Sequence, residues 1–125
     1  MKNRATLIGF VGASPEIRMT RDNREVASFR MATSEQWKDK ETGERRERTE
    51  WHRVTVFNQG LFKVVKNYVR KGSKIEVEGT IRTSEYEDRD GVKRYSTEIH
   101  IENFSVSILL LDGAPKSAET GADAA

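Results

Sequence analysis

Trp51, Arg53 and Phe57 fall on one parity of the segment Thr49–Asn58, and Val54 and Val56 fall on the other. Side chains along a strand point alternately to opposite faces, so the valines share one face and the Trp, Arg and Phe share the other. The valines suit a core. Two large aromatics and a guanidinium beside the small Thr55 make a poor solvent face unless something covers them. Unpaired nucleobases would cover them, because any base can stack on an aromatic ring while cationic side chains hold the phosphates.

The same logic recurs in Lys74–Tyr86, where Ile75, Val77, Gly79 and Ile81 go inward and Lys74, Arg82 and Tyr86 point out. Trp37 stands where a long strand enters a charged loop, next to Lys38 and Lys40. An aromatic therefore meets a base at Trp37/Lys38, Trp51/Arg53 and Tyr86/Arg82, which the pattern places on one sheet surface. Arg70 and Lys71 extend the phosphate track. The bland alternative is that a β-bulge shifts the parity and buries Trp51 and Phe57 as core. Any one such aromatic is more often packed than functional, but their repetition, each time with a base, favours a nucleic-acid surface.

The elements that must hold these residues are mostly strands. Arg4–Gly12 reads as a strand, continued by Glu16–Met19 after the Ala13-Ser14-Pro15 break, with a polar turn at Arg21–Arg24. Glu25–Trp37 alternates Ala27, Phe29 and Met31 against Ser28, Arg30 and Ala32. Lys38–Arg48 reads as a charged loop around Thr42-Gly43, and Thr49–Asn58 as the next strand. Leu61, Val64, Val65, Tyr68 and Val69 recur at helical spacing. Arg70 and Lys71 are expected in the last turn, and Gly72 in the left-handed position that ends the helix. Lys74–Tyr86 and Arg94–Ile101 form a hairpin through Asp90-Gly91, and Phe104–Leu111 is the last strand. Gly79 inside a strand marks either a bulge or a close backbone approach. Three strands, one helix and two or three further strands match a five-stranded Greek-key barrel of the OB type, all-β with its helix between strands 3 and 4.

Composition narrows the chemistry. The 125 residues are one domain's worth, and the absence of cysteine excludes disulfides, thiolate zinc sites and a cysteine nucleophile. It also fits a reducing cytoplasm. No run reaches the length of a membrane span, and the N-terminal apolar run is too short and alternating for a secretory signal. Net charge is only +2. Asp112, Glu119 and Asp123 outnumber Lys116 in the tail, which leaves +4 on the first 111 residues. Binding must then depend on where the charges sit. Apart from Pro115, residues 112–125 have no apolar side chain larger than alanine, so the folded domain is expected to span 1–111 and the tail 112–125 to be disordered.

Ala32-Thr33-Ser34-Glu35-Gln36-Trp37, Thr42-Gly43-Glu44, Thr49-Glu50-Trp51-His52-Arg53-Val54, Lys71-Gly72-Ser73, Val77-Glu78-Gly79 and Tyr95-Ser96-Thr97-Glu98 follow one another in order. With these words the chain closely resembles the bacterial single-stranded DNA-binding protein (SSB) family over about residues 2–111. The resemblance implies an OB-fold homotetramer that covers single-stranded DNA without base preference in replication, repair and recombination, in the bacterial cytoplasm on the nucleoid. It implies stacking by Trp37, Trp51, Phe57 and Tyr86, phosphate contacts from Arg4, Lys40, Arg53, Lys71 and Arg82, and a subunit contact at His52. No catalysis, cofactor or metal is implied. Three departures stand out: Tyr86 replaces the family's usual Trp, Ser84-Glu85 replaces a basic pair, and Gly9-Phe10 replaces Gly-Asn. The family's acidic tip closing on Pro-Phe has no counterpart in Gly121–Ala125, so partner recruitment through the C-terminus is expected to be weak or absent.

Rival readings are an OB accessory module for RNA or a protein partner, a metal-dependent nuclease, and a structural oligomer that buries Trp51. The nuclease needs converging carboxylates, whereas the acids here lie in turns or alternate with Lys and Arg. His52 and His100 read as hydrogen-bonding residues, with no third metal ligand suggested by spacing. Asp88 and Asp90 read as turn residues.

Overall fold

The computed structural model describes residues 1–102 and 106–112. Its elements are β1 (Ala5–Val11), β2 (Glu16–Met19), β3 (Glu25–Lys38), β4 (Arg45–Val56), α1 (Gln59–Tyr68), β5 (Lys74–Glu87), β6 (Lys93–Ile101) and β7 (Ser107–Leu110). Five strands close on themselves in the order β1-β3-β4-β6-β5-β1, with β4 and β6 parallel and the other pairings antiparallel. Short β2 adds to β3 and β7 adds to β5. The barrel strands are thus β1, β3, β4, β5 and β6, and α1 lies between the third and fourth, as the sequence predicts for an OB-fold. Among the described residues, no helix is long and apolar enough to cross a membrane.

Alternation builds the core. Ala27, Phe29 and Met31 of β3, Val54 and Val56 of β4, Ile75 and Val77 of β5 and Ile99 and Ile101 of β6 turn inward. Phe62, Val65 and Val69 plug this core from the helix side. The buried stripe is therefore rotated from the expected Leu61/Val64/Val65/Tyr68/Val69 face: Phe62 is buried, Leu61 and Val64 are half-buried and Tyr68 is exposed. The Asn58 side chain accepts from Leu61 N–H at 3.0 Å and caps the helix N-terminus. It follows that the strand expected to reach Asn58 stops at Val56.

The helix also ends earlier than expected. Val69 is already extended, so Arg70 and Lys71 lie beyond the last turn. Arg70 still serves the helix end, because its guanidinium donates to the carbonyls of Lys66, Asn67 and Val69. Gly72, at φ 89°, belongs to the turn into β5, where Ser73 N–H donates to Arg70 O at 2.9 Å.

The expected Lys38–Arg48 loop is mostly strand. β3 and β4 pair without interruption out to Lys38 opposite Arg45, which leaves only residues 39–44 as the connection. A ribbon exposed on both faces carries no apolar period, so its alternation is silent in the sequence. The β5–β6 ribbon leaves the barrel in the same way. That is why Ile81, expected inside, is 45% exposed. Gly79 resolves as a close approach, since a Cβ there would lie 2.6 Å from the His100 carbonyl oxygen. The last strand begins at Ser107, and Phe104 and the tail from 113 onward lie outside the described residues.

At the tip of the β5–β6 ribbon, Asp88 accepts from Asp90 N–H and Val92 N–H at 2.9 Å each and from Arg94 Nε at 2.9 Å. The Arg94 guanidinium first, then the backbone amides, hold its carboxyl below the ordinary value of 3.8. A carboxyl depressed in the fold stabilises the turn fully above the unfolded value and loses that effect as pH falls through the lower folded one. The amide resonances of Asp90 and Val92 should therefore shift together only below about pH 3.8. A joint shift at higher pH would mean that this carboxylate does not hold the tip.

Candidate nucleic-acid interface

Register decides which of the candidate side chains meet. Thr55 of β4 lies opposite His100 of β6, which lies opposite Thr80 of β5, and Glu98 lies opposite Arg82. Counting in twos from these pairs puts Trp51, Arg53, Thr55, Glu98, His100, Arg82 and Tyr86 on one outward face across β4, β6 and β5. Phe57, just past β4, lies against this face with its ring tilted on His100 at a centroid distance of 5.0 Å.

Trp51 is 52% exposed, and the Arg30 guanidinium lies 5.0 Å from its ring centroid. Its ring edge rests over Gly12, where a Cβ would come within 2.5 Å of the indole. A cleft of about 280 Å³ opens beside the ring, lined among others by Ser14, Glu16, Arg30 and Arg53. Tyr86 is 52% exposed near the end of its ribbon. Both rings are exposed on the outward side that alternation along their strands predicts.

Trp37 does not join them. It lies opposite Arg46 and shares the parity of Phe29 and Met31, whereas Trp51 lies opposite Ala32 on the other parity. The two tryptophans thus occupy opposite faces of the β3–β4 ribbon, which corrects the expectation of a single surface. Trp37 is exposed because the ribbon has left the barrel by that point.

Arg53 Nε lies 3.7 Å from Glu98, and Arg82 pairs with Glu102 at 3.0 Å. Arg4, just before β1, pairs with Glu78 at 2.7 Å. Lys40 in the β3–β4 connection and Lys71 in the turn before β5 are exposed, with no ion-pair partner among the described residues. Arg4, Lys40 and Lys71 lie on three separate parts of the barrel and are not joined to the Trp51 face by register. His52 is half-buried on the inward parity of β4 and shares a hydrogen bond of 2.9 Å with Thr33 Oγ1.

Sequence reasoning missed Gly12, Arg30, Glu98, His100 and Glu102. Arg30 was legible as outward, but its meeting with Trp51 requires the β3–β4 register. The β6 residues enter only through the parallel β4–β6 pairing, to which no local pattern points. No group of three or more His, Asp or Glu suited to a metal ion occurs among the described residues.

Comparison with known proteins gives a consistent result. The profile of the single-strand binding protein family matches residues 2–107. A single-stranded DNA-binding protein of Rhizobium meliloti (strain 1021) is 53% identical over 111 residues, covering 89% of this chain and 64% of that protein. One from Rickettsia felis is 45% identical over 118 residues, covering 94% of this chain and 78% of that protein. Among solved structures, a Plasmodium falciparum SSB complex with ssDNA superposes with a TM-score of 0.81 at 32% identity, covering 90% of this chain and 96% of that one.

Proposed function

Because this chain belongs to the single-strand binding protein family, we propose that it binds single-stranded DNA without sequence preference. It would shield unpaired strands during replication, repair and recombination, without catalysis, in the bacterial cytoplasm on the nucleoid. The observation that carries this reading is the shared outward face of Trp51, Arg53, Phe57, Arg82 and Tyr86. Residues 1–111 form the binding unit.

The roles follow from chemistry. Trp51, Phe57 and Tyr86 stack bases, and Trp37 serves a strand that wraps around the β3–β4 ribbon to its other face. Arg53 and Arg82 hold phosphates along the same face, while Arg4, Lys40 and Lys71 extend the path around the barrel. A homotetramer fits the family, with His52 near a subunit contact. A strand passing between subunits would reach cationic groups that lie apart on one copy.

Tryptophan fluorescence tests the reading, because the chain has only two tryptophans, Trp37 and Trp51, both exposed. Titration with poly-dT should quench them strongly, less at high salt, and duplex DNA should leave them nearly unchanged. Equal quenching by RNA would favour an accessory module for RNA. No quenching by any nucleic acid would remove the stacking assignment.

A further inference from the structure

The proposed DNA face carries acids where the phosphate path should be most cationic. Glu98 is 23% exposed, accepts from the buried Thr55 hydroxyl at 2.9 Å, and faces Arg53 Nε at 3.7 Å. Glu102, 34% exposed, takes the Arg82 guanidinium at 3.0 Å. His100 stands between the two acids, with Nε2 3.2 Å from Glu98 and Nδ1 3.9 Å from Glu102. The Phe57 ring leans on that imidazole at 5.0 Å. One linked row therefore runs Arg53, Glu98, His100, Glu102, Arg82 across the face. Both arginines assigned to phosphate on this face are occupied by carboxylates in the free protein.

We infer that Glu98 and Glu102 set the affinity of this face by competing with phosphate for Arg53 and Arg82. This rests on the single-stranded DNA reading above. A phosphate that takes an arginine must displace its carboxylate, and the carboxylate left behind then faces a polyanion. It regains neutrality by taking up a cation from solution. That uptake cancels part of the counterion release that drives binding, so the row weakens binding and flattens its dependence on salt. The Thr55 hydroxyl and His100 Nε2 hold the Glu98 carboxylate in place, so the competition at Arg53 belongs to the folded face and not to a mobile side chain.

The test compares Glu98→Gln, Glu102→Gln and the double variant with the parent in titrations of labelled oligo-dT over a range of salt. Glutamine keeps the shape and an acceptor oxygen for Thr55, and thermal melts confirm folding. Asp22→Asn, in the exposed turn before β3, removes the same charge away from the face. Each Glu→Gln change should tighten binding at low salt roughly two- to fivefold, the range for a partly exposed ion pair. The salt slope should steepen by about 0.7 for each arginine released, the value for a single strand, and Asp22→Asn should do neither. Unchanged or weaker binding by the folded variants would overturn the competition, as would an equal gain from Asp22→Asn. A parent that fails to bind oligo-dT would instead sink the functional reading and this inference with it.

Discussion

Trp51→Ala should lower the affinity for oligo-dT roughly five- to 150-fold, the loss expected for one stacked base at about 1–3 kcal/mol. The size of the effect follows from how the ring is held. Arg30 lies over it at 5.0 Å, and the missing side chain of Gly12 leaves room for its edge. A ring already fixed in place loses little freedom when a base arrives, so most of the stacking energy appears as affinity. Trp37 has no such support described and should cost less when truncated. Trp51 contributes nothing to the buried core, so the variant should melt near the parent temperature. Trp51→Phe keeps a π-face and should recover much of the loss. Anisotropy of a labelled oligonucleotide at one salt concentration measures all three, and parent-like binding by Trp51→Ala would take this residue out of the interface.

The barrel was readable because its inner faces alternate. Ala27, Phe29, Met31, Val54, Val56, Ile75 and Val77 stand at two-residue spacing in the sequence and are buried in the fold. The misreadings occur where that contrast vanishes. Arg45–Arg48 is strand with no apolar residue, because both faces of its ribbon meet solvent and cross-strand pairing alone keeps it extended. Ile81 has the right parity but lies where the barrel wall has ended. Phe62 replaces Leu61 in the core because helix rotation is set by the barrel mouth it must plug. The local pattern fixes the angle only to within about one residue.

The binding face divides in the same way. Trp51, Arg53, Arg82 and Tyr86 could be assigned to outward positions one strand at a time. Whether two strands present their outward sides to the same ligand is a matter of register and curvature, which no single strand encodes. Trp37 shows the consequence: it has the right residue type and exposure, yet it lies on the opposite side of its ribbon from Trp51. Glu98 and Glu102 show the converse. Their alternation with Thr97 and Ile101 looks like an ordinary solvated strand edge until β6 is seen to run between the two arginine-bearing strands.

Gly9→Ala should be the most damaging single methyl addition, costing about 3 kcal/mol of a stability that is typically about 5–15 kcal/mol. Gly9 pairs with Ile75 of β5 while its other side backs onto β3, where a Cβ would fall on the Ala32 carbonyl oxygen and come within 3.3 Å of Thr33 Cγ2. The obstacle is backbone, so no side-chain rotation relieves it. β1 joins β3 through Phe10 opposite Ala32 and Val11 opposite Met31, followed by Gly12 N–H donating to the Arg30 carbonyl at 2.9 Å, and this short seam closes the barrel. The closure must open for the methyl to fit. Gly91→Ala is the useful contrast: it has open space around it and only a φ of 76° against it, so it should cost about 1 kcal/mol. Urea unfolding should show a lower midpoint for Gly9→Ala at an unchanged slope. A cost no greater than that of Gly91→Ala would mean that β1 does not close against β3 as described. The damage should also reach the binding face, because Ala32, the residue that must move, lies directly opposite Trp51.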